Sequence, residues 1–312
     1  MIKNIQKSQI QFEDNNILRV MLGIFHKNIE IIEKRLKVNL NSRGNVILIN
    51  GNKEKVKLTK NTLNELYERA KISEIIEKKD IELIIDNMVK NKDNKLLKHS
   101  IKTPKKQIWP RTNGQLKLIK EIFSKDVVFS IGPAGTGKTF LAVSHAVSMF
   151  IKGLVDKIII SRPAVEAGEK LGFLPGDLKE KIDPYLRPIY DALDEVLSKE
   201  KVIKLIENNK IEIAPIAYLR GRTLNNSYII LDEAQNTSPV QMKMFLTRLG
   251  ENSKMVITGD LTQIDLPIKN NSGLKDATNI LKNLDDVSFV YLTDKDVVRH
   301  PVVQKIIKAY DK

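Results

Sequence analysis

The feature that most constrains this chain is an eight-residue run set between two segments of different period. Val127–Ile131 (VVFSI) is an apolar run rich in β-branched residues and reads as a buried strand. Phe140–Phe150 carries its apolar residues at helical spacing. Between them lies Gly132-Pro133-Ala134-Gly135-Thr136-Gly137-Lys138-Thr139, a GxxxxGK[ST] pattern in the strand–loop–helix setting that the motif requires. Glycines let the backbone turn tightly enough for successive N–H groups to point inward, and the following helix adds the positive end of its dipole. The pattern predicts a phosphate cradle in which Lys138 reaches the outer phosphates and the Thr139 hydroxyl ligates magnesium.

Two further strand ends extend the site. Ser227–Leu231 runs into Asp232-Glu233-Ala234-Gln235. Asp232 is placed to hold the metal, and Glu233 to orient or deprotonate an attacking water. Lys254–Thr258 runs into Gly259-Asp260-Leu261-Thr262-Gln263, where the Gln263 amide could contact the γ-phosphate or the water. Strands ending near Ile131, Ile160, Ile213, Leu231 and Thr258 predict a three-layer α/β sandwich over 113–312. Its sheet would be mostly parallel, with the nucleotide at the C-terminal edge.

Composition removes other classes. The 312 residues contain no cysteine, which excludes disulfides, thiolate zinc sites and cysteine nucleophiles. Four scattered histidines offer no paired metal-ligand spacing. Uncharged runs such as Val127–Gly137 are too short to cross a bilayer, and the N-terminus lacks a signal-peptide core. A cytoplasmic protein with no membrane partner is expected. The net charge of +14 is uneven: residues 1–112 hold 24 of the 52 Lys+Arg but 13 of the 38 Asp+Glu. Lys90–Arg111 alone has eight basic residues against Asp93. With Pro104 and Pro110 it reads as a linker over 91–112, either a solvated spacer or a basic strap for phosphates.

Residues 1–90 read as a small α+β domain. Strand Ile5–Phe12, helices Asn15–Gly23 and Ile29–Val38, strands Val38–Leu40 and Val46–Ile49, and helix Lys53–Ala70 give the order β-α-α-β-β-α. That order resembles the KH module, whose GxxG loop clamps a nucleic-acid backbone. Here Gly23-Ile24-Phe25-His26-Lys27-Asn28 occupies the loop and has no second glycine. Lys27, Arg43 and the linker lysines are the phosphate contacts expected of this region.

GPAGTGKT, LDEAQN and ITGDLTQ together are similar to the core of superfamily 1 helicases. Ser161 onward (SRPAVEAGEKLGFLPGDLKEKIDPYLRPIYDAL), YLRGRTL from Tyr218, QMKMFLTRLG from Gln241 and DVVRHP from Asp296 resemble the PhoH-like ATPases, over Gln115–Tyr310. The resemblance implies ATP as the nucleotide with Mg2+, and hydrolysis coupled to RNA binding, remodelling or unwinding. DNA is the other nucleic acid to consider. It implies an adenine-reading role for Gln115, and phosphate or RNA contacts for Arg162, Arg187, Arg220 and Arg222. It also suggests a link to RNA processing beside an endoribonuclease partner. One recombinase-like core leaves room for no second domain to supply an arginine, so a homo-oligomer, plausibly a hexameric ring, is expected to provide it in trans. Arg299 is the leading finger and Arg220 the second. Leu171–Leu197 reads either as an insertion lining a pore or partner surface or as core. The alternative function is an ATP-gated RNA-binding or adaptor protein with slow hydrolysis and no helicase activity. A small-molecule phosphotransferase is the third reading, and the Asp232–Glu233 pair argues against it.

Overall fold

Apolar runs of five or six residues, each followed by a helix or a motif loop, assemble the larger part of the chain around one parallel sheet. The computed structural model describes residues 5–73, 75–90, 99–163, 178–267, 272–298, 302 and 309. The chain divides into two units, Met1–Ser100 and Ile101–Lys312.

The first unit contains β1 (Ile5–Gln11), α1 (Asn15–Leu22), a 3-10 turn at Ile24–His26, α2 (Lys27–Leu36), β2 (Asn39–Arg43), β3 (Val46–Asn52), α3 (Lys53–Ala70) and α4 (Lys78–Lys90). The antiparallel sheet has the order β1-β3-β2. Helix starts are set by side-chain caps: the Asp14 carboxylate accepts from the backbone N–H groups of Asn16 and Ile17, and Asn52 caps α3 through Glu54 N–H. Ile47, Ile49, Leu63 and Leu66 are fully buried. The expected β-α-α-β-β-α order is present, and α4 is an addition to it. Ile81, Ile84 and Ile85 bury the inner face of α4, and Arg69 of α3 pairs with Asp80 at 2.6 Å inside the unit.

The second unit opens with a small hairpin, β4 (Ile101–Lys102) and β5 (Gln107–Ile108), then α5 (Asn113–Ser124), β6 (Val127–Ile131), α6 (Lys138–Ile151) and β7 (Lys157–Arg162). It continues with α7 (Leu178–Val196), α8 (Lys199–Glu207), β8 (Ile211–Pro215), β9 (Ser227–Leu231), α9 (Pro239–Leu246), β10 (Lys254–Gly259), α10 (Gly273–Ile280) and β11 (Val287–Tyr291). The sheet order is β11-β6-β10-β9-β7-β8, and its pairings are parallel. Successive strand residues face opposite layers. Val128, Ile160, Ile230 and Val256 pack toward α5, α6 and α7, whereas Phe129, Ile159, Ile229 and Ile257 pack toward α9 and α10. This is the expected three-layer α/β architecture, with β11 as a strand not anticipated from sequence.

Two expectations change. Residues 101–112, read as part of a linker, belong to the second unit. Ile101 and Ile108 are buried in its core, Lys105 Nζ donates to the carbonyl of Asp194 at 2.6 Å, and Lys106 pairs with Glu195 at 2.5 Å. Those two lysines are engaged within the fold rather than held out as a phosphate strap. Residues 91–98 lie outside the described residues. Of the segment Leu171–Leu197, the described part of α7 sends Ile189, Leu193 and Val196 into the core, so packing is its role there. Residues 164–177 lie outside the described residues. Among the described residues no helix is long and apolar enough to cross a membrane.

Candidate functional site

The loop 132–137 turns between the C-terminal end of β6 and the start of α6, at the C-terminal edge of the sheet. Gly132 lies against the chain after β11, where a Cβ would come within 2.5 Å of the Leu292 carbonyl oxygen. Gly137 caps α6 at φ +83°, a conformation that L side chains rarely adopt. Neighbouring chain fixes the rest. Gly132 N–H donates to Gly259 O at 3.0 Å, Val298 N–H to Gly135 O at 2.9 Å, and the Thr136 hydroxyl to Pro133 O at 2.9 Å.

Around this loop is a cavity of about 400 Å³, lined by Ala134, Gly135, Gly137, Lys138, Thr139, Asp232, Glu233, Asp260 and Gln263, among others. Three strand ends therefore converge as expected. Lys138 Nζ donates to the carbonyls of Gly132 and Pro133 at 2.6 and 2.9 Å. The Thr139 hydroxyl donates to Asp232 Oδ1 at 2.7 Å, and the Thr258 hydroxyl donates to the same oxygen at 2.5 Å. Arg162, at the end of β7, stands 3.8 Å from Asp232 Oδ2 and 3.6 Å from Glu233 Oε1.

This donor set suits magnesium. The ion takes oxygen ligands, keeps several waters and commonly uses one carboxylate with substrate phosphates, so a hydroxyl and a carboxylate already in contact are an adequate protein share. A second observation points the same way. Asp260 is buried, and its Oδ1 accepts from the Thr262 N–H and hydroxyl, but its Oδ2 has no hydrogen-bond partner among the described residues. A carboxylate oxygen of that kind, on a residue lining the cavity, is suited to a bound water or a metal-bound ligand.

Gln235 is the residue that sequence reasoning passed over. It is 1% exposed, and its Nε2 donates to Glu233 Oε2 at 2.6 Å and to the Gln263 carbonyl at 3.2 Å. Its Oε1 accepts from Asp260 N–H at 3.0 Å. One amide thus joins the candidate base to the loop after β10. The only sequence signal was its place two residues after Glu233.

Gln115 is placed differently from its expected role. Its Nε2 donates to the Thr136 carbonyl at 2.9 Å and its Oε1 accepts from Arg111 N–H at 2.8 Å, so its amide braces the loop from behind. Gln263 lines the cavity with an exposed side chain. Arg222 is held by Glu212 in a two-bond pair at 2.5 and 2.8 Å, which lowers the Glu212 pKa and raises that of Arg222. Arg187 and Arg220 are exposed. Arg299 lies outside the described residues.

Residues 107–311 match the family described as "PhoH-like protein". The chain belongs to the PhoH-like family. A PhoH-like protein of Bacillus subtilis is 50% identical over 289 residues, covering 91% of each chain. One from Synechocystis is 58% identical over 202 residues, covering 65% of this chain and 62% of its own. Among solved structures, the Pif1 helicase from Candida albicans aligns over 64% of this chain and 43% of its own at 14% identity, with a TM-score of 0.33. The PhoH-like match begins within the β4–β5 hairpin, where the second unit also begins to build its core.

Proposed function

We propose that this PhoH-like chain hydrolyses ATP to ADP and phosphate with magnesium, and couples turnover to RNA bound by its basic first unit. The observation that supports this most is that Thr139, Asp232 and Glu233 line one cavity at the loop 132–137, with buried Thr258 bonded to Asp232. Magnesium, when bound with the nucleotide, neutralises charge on the outer phosphates. Lys138 would exchange its two loop carbonyls for phosphate oxygens. Glu233, held by Gln235, would take the proton from the attacking water as the bond to ADP breaks. Loop N–H groups and the α6 dipole would hold the charge that develops on the leaving diphosphate.

A trans-acting arginine belongs to the same proposal. Arg299 is its first candidate by sequence. Arg220, exposed and without a side-chain partner among the described residues, is the second. Either would require a head-to-tail homo-oligomer, and a ring closes such contacts.

A slower, switch-like reading has one observation in its favour: Arg162 pairs with both acidic residues, at 3.8 and 3.6 Å, and a change in that pairing on nucleotide binding would be the switch. Steady-state ATP hydrolysis by the wild type and Glu233→Gln, with and without single-stranded RNA at two salt concentrations, separates the readings. Activity lost in the variant and raised by RNA in a salt-sensitive way supports the coupled ATPase. ATP-dependent RNA binding with a flat rate favours the switch. Absence of hydrolysis under every condition overturns the ATPase.

A further inference from the structure

Sheet register sets the end of β7 against the end of β9. Ser161 pairs with Leu231 in the parallel ladder, and the Asp232 N–H donates to the Ser161 carbonyl at 2.9 Å. The next residue, Arg162, therefore stands beside the two acids, with its side chain 22% exposed. One planar guanidinium spans both: Nη1 faces Asp232 Oδ2 and Nη2 faces Glu233 Oε1, at 3.8 and 3.6 Å. These are ion-pair rather than hydrogen-bond distances, so the hold is electrostatic.

Glu233 needs such a hold. Its backbone is left-handed at φ +51°, a region that L side chains disfavour and that persists only where the surroundings over-determine it. Its side chain is 36% exposed, and an unheld carboxylate there would spread over several rotamers. Instead each oxygen has its own partner. Gln235 Nε2 donates to Oε2 at 2.6 Å, and Arg162 faces Oε1. Gln235 is tied in turn to the backbone of Asp260 after β10, whereas Arg162 belongs to β7. Two different strand ends thus grip one carboxylate. Charge adds a second need. Asp191, Glu195, Asp232, Glu233 and Asp260 line the cavity, and Lys138 is the only cation among its described lining residues.

We propose that Arg162 is a positioning residue for hydrolysis: its two-armed guanidinium fixes the Glu233 carboxylate for the attacking water, and its charge offsets Asp232 and Glu233 against the incoming triphosphate. The proposal rests on the ATPase reading given above and is opposite in sign to the switch. Removing a brake releases turnover, whereas removing a positioning group loses it. Lysine is no substitute here. Its ammonium is one point charge on a flexible stem, where arginine presents two nitrogens in a fixed plane, one to each acid.

The test is steady-state ATP hydrolysis by the full chain with magnesium, alongside a melting temperature for each variant. Arg162→Gln should lower kcat by about tenfold or more and raise KM for ATP a few fold. Arg162→Lys should return KM to within about twofold of the wild type while kcat stays about tenfold down, because KM follows the charge and kcat follows the fork. If Arg162→Gln does not fold, the lysine variant carries the test alone. In a Gln235→Ala background the kcat loss from Arg162→Lys should shrink to about twofold, since a carboxylate already released on one side has less order to lose. An Arg162→Gln enzyme as fast as the wild type, or faster, overturns the proposal and leaves the ATPase reading standing. Full recovery of kcat by lysine, or losses that simply multiply in the double variant, would also overturn it. If the wild type hydrolyses no ATP, both readings fall together.

Discussion

Gln235 Nε2 lies 2.6 Å from Glu233 Oε2 while the other end of the same amide holds the backbone of Asp260. The acidic strand end and the loop after β10 are therefore one hydrogen-bonded piece. Gln235→Ala should lower kcat by about tenfold or more with KM changed only a few fold, because the proposed base would lose its orientation and the nucleotide no contact. A rise in KM with kcat intact, measured by steady-state hydrolysis, would place Gln235 in binding instead.

Asp232 gathers two hydroxyls on one oxygen. Asp232→Asn keeps the shape and removes the charge, so half-maximal hydrolysis should need about tenfold more magnesium. A magnesium titration at saturating ATP reads this directly. An unchanged titration would mean that Asp232 serves only to fix Thr139 and Thr258.

His145 is buried, and its Nδ1 lies 3.0 Å from the Tyr228 hydroxyl. Burial, with Lys254 and Lys152 adding to it, pushes its pKa from 6.5 down to about 3. The unfolded chain therefore binds this proton first. Stability is full above pH 6.5 and falls as the pH drops toward 3, by about 1 kcal/mol per pH unit between pH 6 and 5. Urea unfolding at those two pH values should show this slope in the wild type. In a His145→Phe, Tyr228→Phe double variant the slope should shrink, and an equal slope in both would assign the loss to other groups.

The Arg69–Asp80 pair makes a separate claim on the first unit. Both side chains are 8% exposed, so Asp80→Ala leaves a buried guanidinium short of its carboxylate and should cost roughly 3–5 kcal/mol. Replacing both with apolar residues of similar volume should recover most of that. Thermal unfolding of the full chain would follow it as an early transition that appears in the single variant and recedes in the double.

What was legible beforehand follows from where each signal is stored. The phosphate loop and the strand ends at Asp232 and Gly259 are local: apolar runs closed by residues whose chemistry needs that spacing. Helix α4 also had a local signal in Ile81, Ile84, Ile85 and Met88, but it sits against the charge-rich stretch that follows and was passed over. Strand β11 is short and lies at the sheet edge, where half-buried positions blur the pattern. What Gln115 and Arg222 bind could not be read from sequence. Their partners, the Thr136 carbonyl and Glu212, are chosen by the packing of α5 on the loop and by the path of the chain after β8.

The hairpin of β4 and β5 has a mechanical consequence. Lys106 Nζ lies 5.1 Å over the ring of Phe140, the residue directly after Thr139, and also pairs with Glu195, which lines the cavity. The chain entering the second unit is thus anchored beside the first turn of α6. A pull along the backbone at residue 101 would load that turn before it reached the sheet. A truncation beginning at residue 113 would cut the anchor away, taking Ile101 and Ile108 out of the core with it.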